Sequence, residues 1–121
     1  NPDLVSEYLN RNDSFVFFTQ IDGNPRGSLN VEVSPQRTLA TDKTLFPRGA
    51  LVYVDATLPL PAAAGRRGQA PFRQLMLDQD TGGAIRTAGR ADIYLGIGPQ
   101  AEQRAGATRS EGQLYYLFLE E

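Results

Sequence analysis

The sequence has neither cysteine nor histidine. Without cysteine there are no disulfides, no thiolate nucleophile and no zinc–thiolate centre; without histidine the commonest general base and the commonest transition-metal ligand are gone as well. Any catalysis has to run on carboxylates, hydroxyls, lysine or arginine. The missing cysteines do not choose a compartment, because they suit a reducing cytosol and a bridge-free periplasm equally. No apolar run approaches the ~18–20 residues of a membrane span, and no signal peptide opens the chain, so its first residue reads as an artificial or processing boundary. Basic charge is scarce too: 12 Lys and Arg stand against 14 Asp and Glu, a net charge of −2. That balance leaves no electrostatic footprint for a nucleic-acid backbone or an anionic lipid surface, so nucleic acid is not an expected partner.

Turn residues, by contrast, are abundant. Gly 12 and Pro 8 in 121 residues divide the chain into short apolar runs, with enough hydrophobic residues for one core. The expectation is a single domain over residues 1–121, mostly β with one or two short helices. Six runs read as strands, near 15–19, 28–33, 50–55, 73–80, 92–96 and 113–119, most of them rich in β-branched and aromatic residues and bounded by turn signals. Residues 38–55 read as strand, turn, strand, with Pro47-Arg48-Gly49 as the turn. Pro2 followed by Leu4, Val5, Tyr8 and Leu9 predicts a short leading helix within residues 1–12. A second helix is expected from Pro99, with Gly106 at its C′ position. Residues 56–72, with Pro59, Pro61, Gly65, Gly68 and Pro71, read as a long surface loop. Leu51 and Tyr53 share one strand face and Val52 and Val54 the other. That strand is therefore expected to be covered on both sides, and the last run, Gln113 to Leu119, to lie centrally in the core.

The stretch from Gln74 to Gly98 carries the chemistry. A strand delivers Asp80 into a loop opened by Gly82 and Gly83, and a second strand-like run begins at Asp92. Two carboxylates at the ends of neighbouring strands suit an acid/base site on a rigid sheet, and paired glycines let the main chain approach a ligand closely. Alternation sends Asp92, Tyr94 and Gly96 one way and Ile93, Leu95 and Ile97 the other, which leaves room beside Asp92. The plainer readings are that Asp92 caps a turn, Asp80 braces a loop and the glycines only bend the chain. Asp80-Thr81-Gly82 also matches the Asp-Thr-Gly of aspartic proteases, which with one copy per chain would require a homodimer. Lys43, Arg86 and Arg90 are either contacts for a carboxylate-bearing substrate or solvated surface cations.

Four segments together resemble the membrane-bound lytic murein transglycosylase A family and its three-aspartate domain. They are Ser14-Phe15-Val16-Phe17-Phe18; Ala40-Thr41-Asp42 with Phe46-Pro47-Arg48-Gly49; Leu77 to Ile85; and Asp92-Ile93-Tyr94-Leu95-Gly96-Ile97-Gly98-Pro99 with its flanking alanines. The resemblance implies a six-stranded double-psi β-barrel whose three family aspartates are Asp42, Asp80 and Asp92. It implies cleavage of the β-1,4 bond between N-acetylmuramic acid and N-acetylglucosamine in peptidoglycan glycan strands, leaving a 1,6-anhydromuramic end. Asp92 then serves as acid/base, with Asp80 as the second catalytic carboxylate, positioning Asp92 or polarising the muramic ring. Asp42, Gly82, Gly83, Ala84, Tyr94 and Gly96 are the expected substrate-binding residues. No metal or cofactor is implied, and the expected location is extracytoplasmic, in the periplasm or cell envelope, with any anchor outside this chain. One departure stands out: the family loop reads Gly-Gly-Ala-Ile-Lys-Gly, and here Arg86 is followed by Thr87. Full-length members also carry a preceding region and a second domain that walls the glycan groove. The isolated chain is therefore expected to fold as a monomer with little lytic activity. Two other classes stay open, a non-catalytic glycan-binding or structural barrel and the homodimeric aspartic protease.

Overall fold

The computed structural model describes all residues except 1, 12, 14–16, 62–64, 66–67 and 121. Its elements in chain order are α1 (Pro2–Leu9), β1 (Thr38–Ala40), β2 (Leu51–Pro59), β3 (Gln69–Asp80), β4 (Asp92–Ile93), α2 (Pro99–Ala107) and β5 (Gly112–Leu117). The strands form one five-stranded sheet in the order β4-β1-β3-β2-β5. β1 runs parallel to β3, and the other neighbouring pairs are antiparallel.

Alternation along β2 and β3 builds the core. Their register, from Leu51 opposite Leu77 to Pro59 opposite Gln69, puts Val52, Val54 and Leu58 on the same face as Met76 and Phe72. These five and Leu39 of β1 are buried together. Each contributes about 1.5–3 kcal/mol by leaving water. The opposite face carries Leu51, Leu75, Leu77, Tyr115 and Leu117, all of them exposed. The strand expected to be covered on both sides is thus covered on one. The last strand is an edge rather than a central strand, with β2 as its only neighbour.

Several expectations change. The run 28–33 is no strand: Asn30 adopts φ 57, and Asn30 N–H closes a turn on Gly27 O at 2.8 Å, leaving a single bridge between Arg26 and Glu32. Of the run 15–19, residues 15 and 16 lie outside the described residues, and Phe17 and Phe18 are exposed and irregular. The run 92–96 keeps only two residues as strand. Among the described residues the sheet therefore has five strands and does not close into the six-stranded barrel. The loop expected over 56–72 shrinks, because β2 continues to Pro59 and β3 starts at Gln69. Prolines are tolerated there because β2 is the only strand beside Pro71, and β5 stops pairing with β2 at Ala56, before Pro59. Both helices form. In α2 the cap is Thr108, whose hydroxyl donates to Arg104 O at 2.8 Å, so Gly106 lies inside the helix and not at its C′ position. The leading helix leaves Leu4, Val5, Tyr8 and Leu9 exposed.

Two glycines test this packing in opposite directions. A Cβ on Gly112 would lie 2.6 Å from Ala56 Cβ and 2.8 Å from Asp55 O, both fixed in the neighbouring strand. Gly112→Val is expected to cost about 1–3 kcal/mol by forcing β5 off β2. Around Gly106 nothing lies within 4 Å of a new Cβ. Gly106→Ala should stabilise the chain by about 0.5–1 kcal/mol through helix propensity. Urea titration of both variants measures the two shifts.

Candidate active site

β1 is only three residues long, yet it brings the two candidate catalytic carboxylates into one row. Ala40 pairs with Asp80 on β3 and with Asp92 on β4. Asp92, directly opposite Ala40, shares its face, whereas Asp80 follows Asp78 by two residues across a register shift, so it is the cavity both line that brings the two together. Two strand spacings put their Cα atoms about 10 Å apart. The β1–β3 register shifts between Leu39 and Ala40, an irregularity of the kind that re-aims side chains at strand ends. Asp80 and Asp92 line a cavity of about 280 Å3 together with Thr81, Gly82, Tyr94 and Arg26. Asp92 also borders a larger groove of about 900 Å3, whose walls include residues of β1, β2, β4 and β5.

The three aspartates are held differently. Asp42 is buried; its Oδ1 accepts the Thr44 hydroxyl at 2.7 Å and Thr44 N–H at 3.0 Å. Those two bonds hold its carboxyl below the usual carboxylate range, against the opposing effect of burial. Its backbone carbonyl accepts from Leu45 and Phe46, so Asp42 braces the 42–46 turn. It is absent from the cavity lining. Asp80 Oδ1 accepts Ser28 N–H at 2.8 Å, which fastens the 27–33 loop over the end of β3. Asp92 is half exposed, and both of its oxygens accept from Arg90: Nε to Oδ1 and Nη2 to Oδ2, each at 3.1 Å. The same hydrogen bonding, with Asp92's charge, raises the Arg90 guanidinium above its ordinary value.

Behind the row lies a charge that the sequence reading did not single out. Asp78 is fully buried on the apolar face of β3, next in alternation after Phe72 and Met76. Its Oδ1 is in ionic contact with Lys43, whose side chain is only 6% exposed. Its Oδ2 accepts the hydroxyls of Thr41 and Tyr116, both at 2.7 Å. Lys43 also donates to Thr41 Oγ1 at 2.9 Å. The Tyr116 ring stacks on Phe46 with centroids 4.9 Å apart. Burial, with the Asp78 carboxylate beside it, holds the Tyr116 hydroxyl far above the usual tyrosine range. This cluster reaches the site through the backbone: Thr41 N–H donates to Asp80 O at 3.3 Å, and the Thr81 hydroxyl donates to Thr41 O at 2.9 Å. A charged residue on the buried face of an apolar strand was the available signal.

The other expected site residues divide. Gly82 lies under the cavity, where an added Cβ would sit 3.2 Å from Ile85 Cδ1. Neither Gly82 nor Gly83 takes a positive φ. The carbonyls of Gly83 and Ala84 accept from Arg86 Nε and Arg90 Nη1, at 2.8 and 3.3 Å. Tyr94 lines the cavity, and its hydroxyl donates to Asn24 at 3.0 Å. Burial, then Glu32, raises that hydroxyl's pKa. Gly96, at φ 116, packs against Pro35 and faces a separate cavity beside α2. Lys43 is spent on Asp78 and contacts no ligand space. Among the described residues no cluster of acidic side chains has the makings of a metal site.

A 3D domain family model matches residues 37–118. Membrane-bound lytic murein transglycosylase A of Vibrio cholerae is 35% identical over 117 residues, covering 96% of this chain and 31% of the relative. Among solved structures, the lytic transglycosylase LtgG of Burkholderia pseudomallei superposes with TM-score 0.72 at 34% identity, over 97% of this chain and 34% of that one. The E. coli MltA structure with bound chitohexaose gives 0.69 at 31% identity, over 96% of this chain and 34% of that one. The chain thus spans about a third of the length of these relatives.

Breaking the buried pair is expected to be severe. Asp78→Asn leaves Lys43 buried without its counter-charge and should cost about 3–5 kcal/mol. Tyr116→Phe removes one hydrogen bond to a charged group, about 1.5–3 kcal/mol at pH 7. The raised Tyr116 pKa also sets a pH dependence. The folded chain holds this proton more tightly than the unfolded one, so the contribution is complete below about pH 10, where free tyrosine titrates, and is lost as the pH climbs above it. Urea midpoints at pH 7 and pH 10.5 should fall with pH in the parent and fall less in Tyr116→Phe.

Proposed function

The chain belongs to the 3D domain family, in the form carried by membrane-bound lytic murein transglycosylases A, and from that premise we propose that it supplies the acid/base row of a peptidoglycan lytic transglycosylase. The observation that carries the reading is the pairing of Asp80 and Asp92 across Ala40 on the rim of one cavity. Asp92 is the half-exposed member, with both oxygens turned to solvent and to Arg90, and so is the one able to meet a glycosidic oxygen. Protonated, it gives its proton to the oxygen leaving the muramic anomeric carbon. Ionised, it takes the proton of the muramic 6-hydroxyl as that oxygen bonds to the same carbon. The proton count closes without water, and the products are a 1,6-anhydromuramic end and a free N-acetylglucosamine 4-hydroxyl. Asp80, pinned by Ser28 N–H, is the second carboxylate, which positions Asp92 or polarises the muramic ring.

The same reading assigns the groove. β4 and β5 are the two edges of the sheet, and both line the space of about 900 Å3. A sixth strand from a longer protein, laid between those edges, would complete the double-psi barrel and remove both edges at once. Residues 1–121 then supply five of the six barrel strands, and the rest of the glycan groove comes from the remaining two-thirds of a protein the size of its relatives. The structure of a relative with bound chitohexaose supports a glycan ligand. The relatives' names support action at the cell envelope; among the described residues no helix is long and apolar enough to cross a membrane. The aspartic protease reading loses its support. The Thr81 hydroxyl is committed to Thr41 O, and the matching family is a different one.

Asp92→Asn keeps the size of the side chain and removes the proton. In the longer natural protein, release of anhydromuropeptides should drop by about 10²–10⁴-fold while glycan binding is retained. Mass spectrometry of digested peptidoglycan reads the products. Release at the parent rate would take Asp92 out of the mechanism and favour a binding or structural role for this domain.

A further inference from the structure

Of the three family aspartates, Asp92 alone forms an ion pair among the described residues. Asp42 and Asp80 take neutral donors, from the Thr44 hydroxyl and backbone and from the Ser28 backbone. Asp92 is instead straddled by the Arg90 guanidinium, and each partner is 50% exposed. A carboxylate whose two oxygens both accept from one guanidinium keeps only its outward lone pairs, and a proton or a sugar hydroxyl arriving there competes with a cation already in place. An exposed pair of this kind is worth little, so another carboxylate can exchange into it without changing the charge count. Arg90 is also placed to accept one: it lines the large groove, and its remaining arm rests on Ala84 O at 3.3 Å.

We infer that Arg90 is a specificity residue that covers Asp92 in the free protein and moves to a carboxylate of the bound glycan, so that an anionic strand uncovers the acid/base and a neutral one does not. The inference rests on the transglycosylase reading above. The ligand chemistry it names is a carboxylate beside the scissile muramic residue. Two sources fit, the lactyl carboxylate of a stem-free muramic sugar and the carboxylates of an attached peptide stem. The guanidinium suits either, because its planar fork binds any carboxylate through two parallel hydrogen bonds.

The test compares the longer natural protein with its Arg90→Gln and Arg90→Lys variants on three glycans: stem-free murein strands, stem-bearing strands and chitohexaose, which has no carboxylate. Binding is read by calorimetry and cleavage by steady-state kinetics. In the parent, the carboxylate-bearing strands should bind more tightly than chitohexaose. Arg90→Gln should weaken the preferred anionic strand by about 10-fold or more, chiefly in KM. Its affinity for chitohexaose should hold or improve, which also shows that the variant is folded. Arg90→Lys keeps the charge without the fork and should recover part of the preference. Loss of preference confined to stem-free strands identifies the lactyl group, and loss confined to stem-bearing strands identifies the peptide. A parent that prefers no carboxylate, or an Arg90→Gln variant that keeps the parent preference on both anionic strands, overturns the role of Arg90 and leaves Asp92 as acid/base intact. A parent that binds none of the three glycans overturns the transglycosylase reading itself.

Discussion

The buried contact between Lys43 and Asp78 is the constraint on which the rest of the fold depends. A carboxylate with no solvent exposure costs several kcal/mol to bury, and attraction to an ammonium offsets that only when the remaining lone pairs also find donors. Here Oδ2 takes donors from both Thr41 and Tyr116, and Oδ1 has the Lys43 ammonium against it. Meeting that requirement fixes four parts of the chain at once: the turn after β1, the end of β3, the end of β5 and, through the stack on Tyr116, Phe46. β5 is separated from β3 by β2, and Tyr116 reaches across it to Asp78 on the buried face. Residues of both sheet edges line one groove.

From that anchor the order passes outward to the acid row in two hydrogen bonds, Thr41 N–H to Asp80 O and the Thr81 hydroxyl to Thr41 O. Asp80 is therefore placed by the core, whereas Asp92 sits on a two-residue strand with a loop on either side and is finished by an exposed arginine. A rigid carboxylate faces an adjustable one across Ala40. That division suits a site where one group must hold a fixed field and the other must gain and lose a proton in a single cycle.

Local pattern carried a good part of this. Alternation identified β2 and β3, periodicity with Pro2 and Pro99 identified both helices, and the strand-end positions of Asp80 and Asp92 were legible as a carboxylate pair. What failed were properties of neighbours. Pro59 and Pro71 look like loop residues until one knows that the strands beyond them stop short, and Asn30 turns left-handed in a run whose composition is that of a strand. β1 falls at the start of the stretch 38–55 read as strand, turn, strand, but its place between β3 and β4, which orders the whole row, is decided by pairing with residues about 40 and 50 positions away. Lys43 was misread, and Asp78 passed over, for the same reason. An aspartate in an alternating strand says that a charge is buried, but its three donors come from positions 41, 43 and 116, and no window of sequence contains them.

The exposed surface completes the physical account. Leu51, Leu75, Leu77, Tyr115 and Leu117 make a contiguous apolar face on three adjacent strands, while the opposite face is buried. An apolar face of that kind, shared by neighbouring strands, is a surface built to be covered. The acid row needs none of that cover, since its carboxylates are set by β1, the 27–33 loop and the Asp78 cluster. Holding a glycan across the scissile bond is a separate matter: such positioning can be worth ~7–11 kcal/mol, and it needs walls on both sides of the sugar. On the proposed transglycosylase reading, the chemistry sits in a part that folds around its own buried charge, and grip on the polymer falls to polypeptide that would cover the apolar face and fill the open groove.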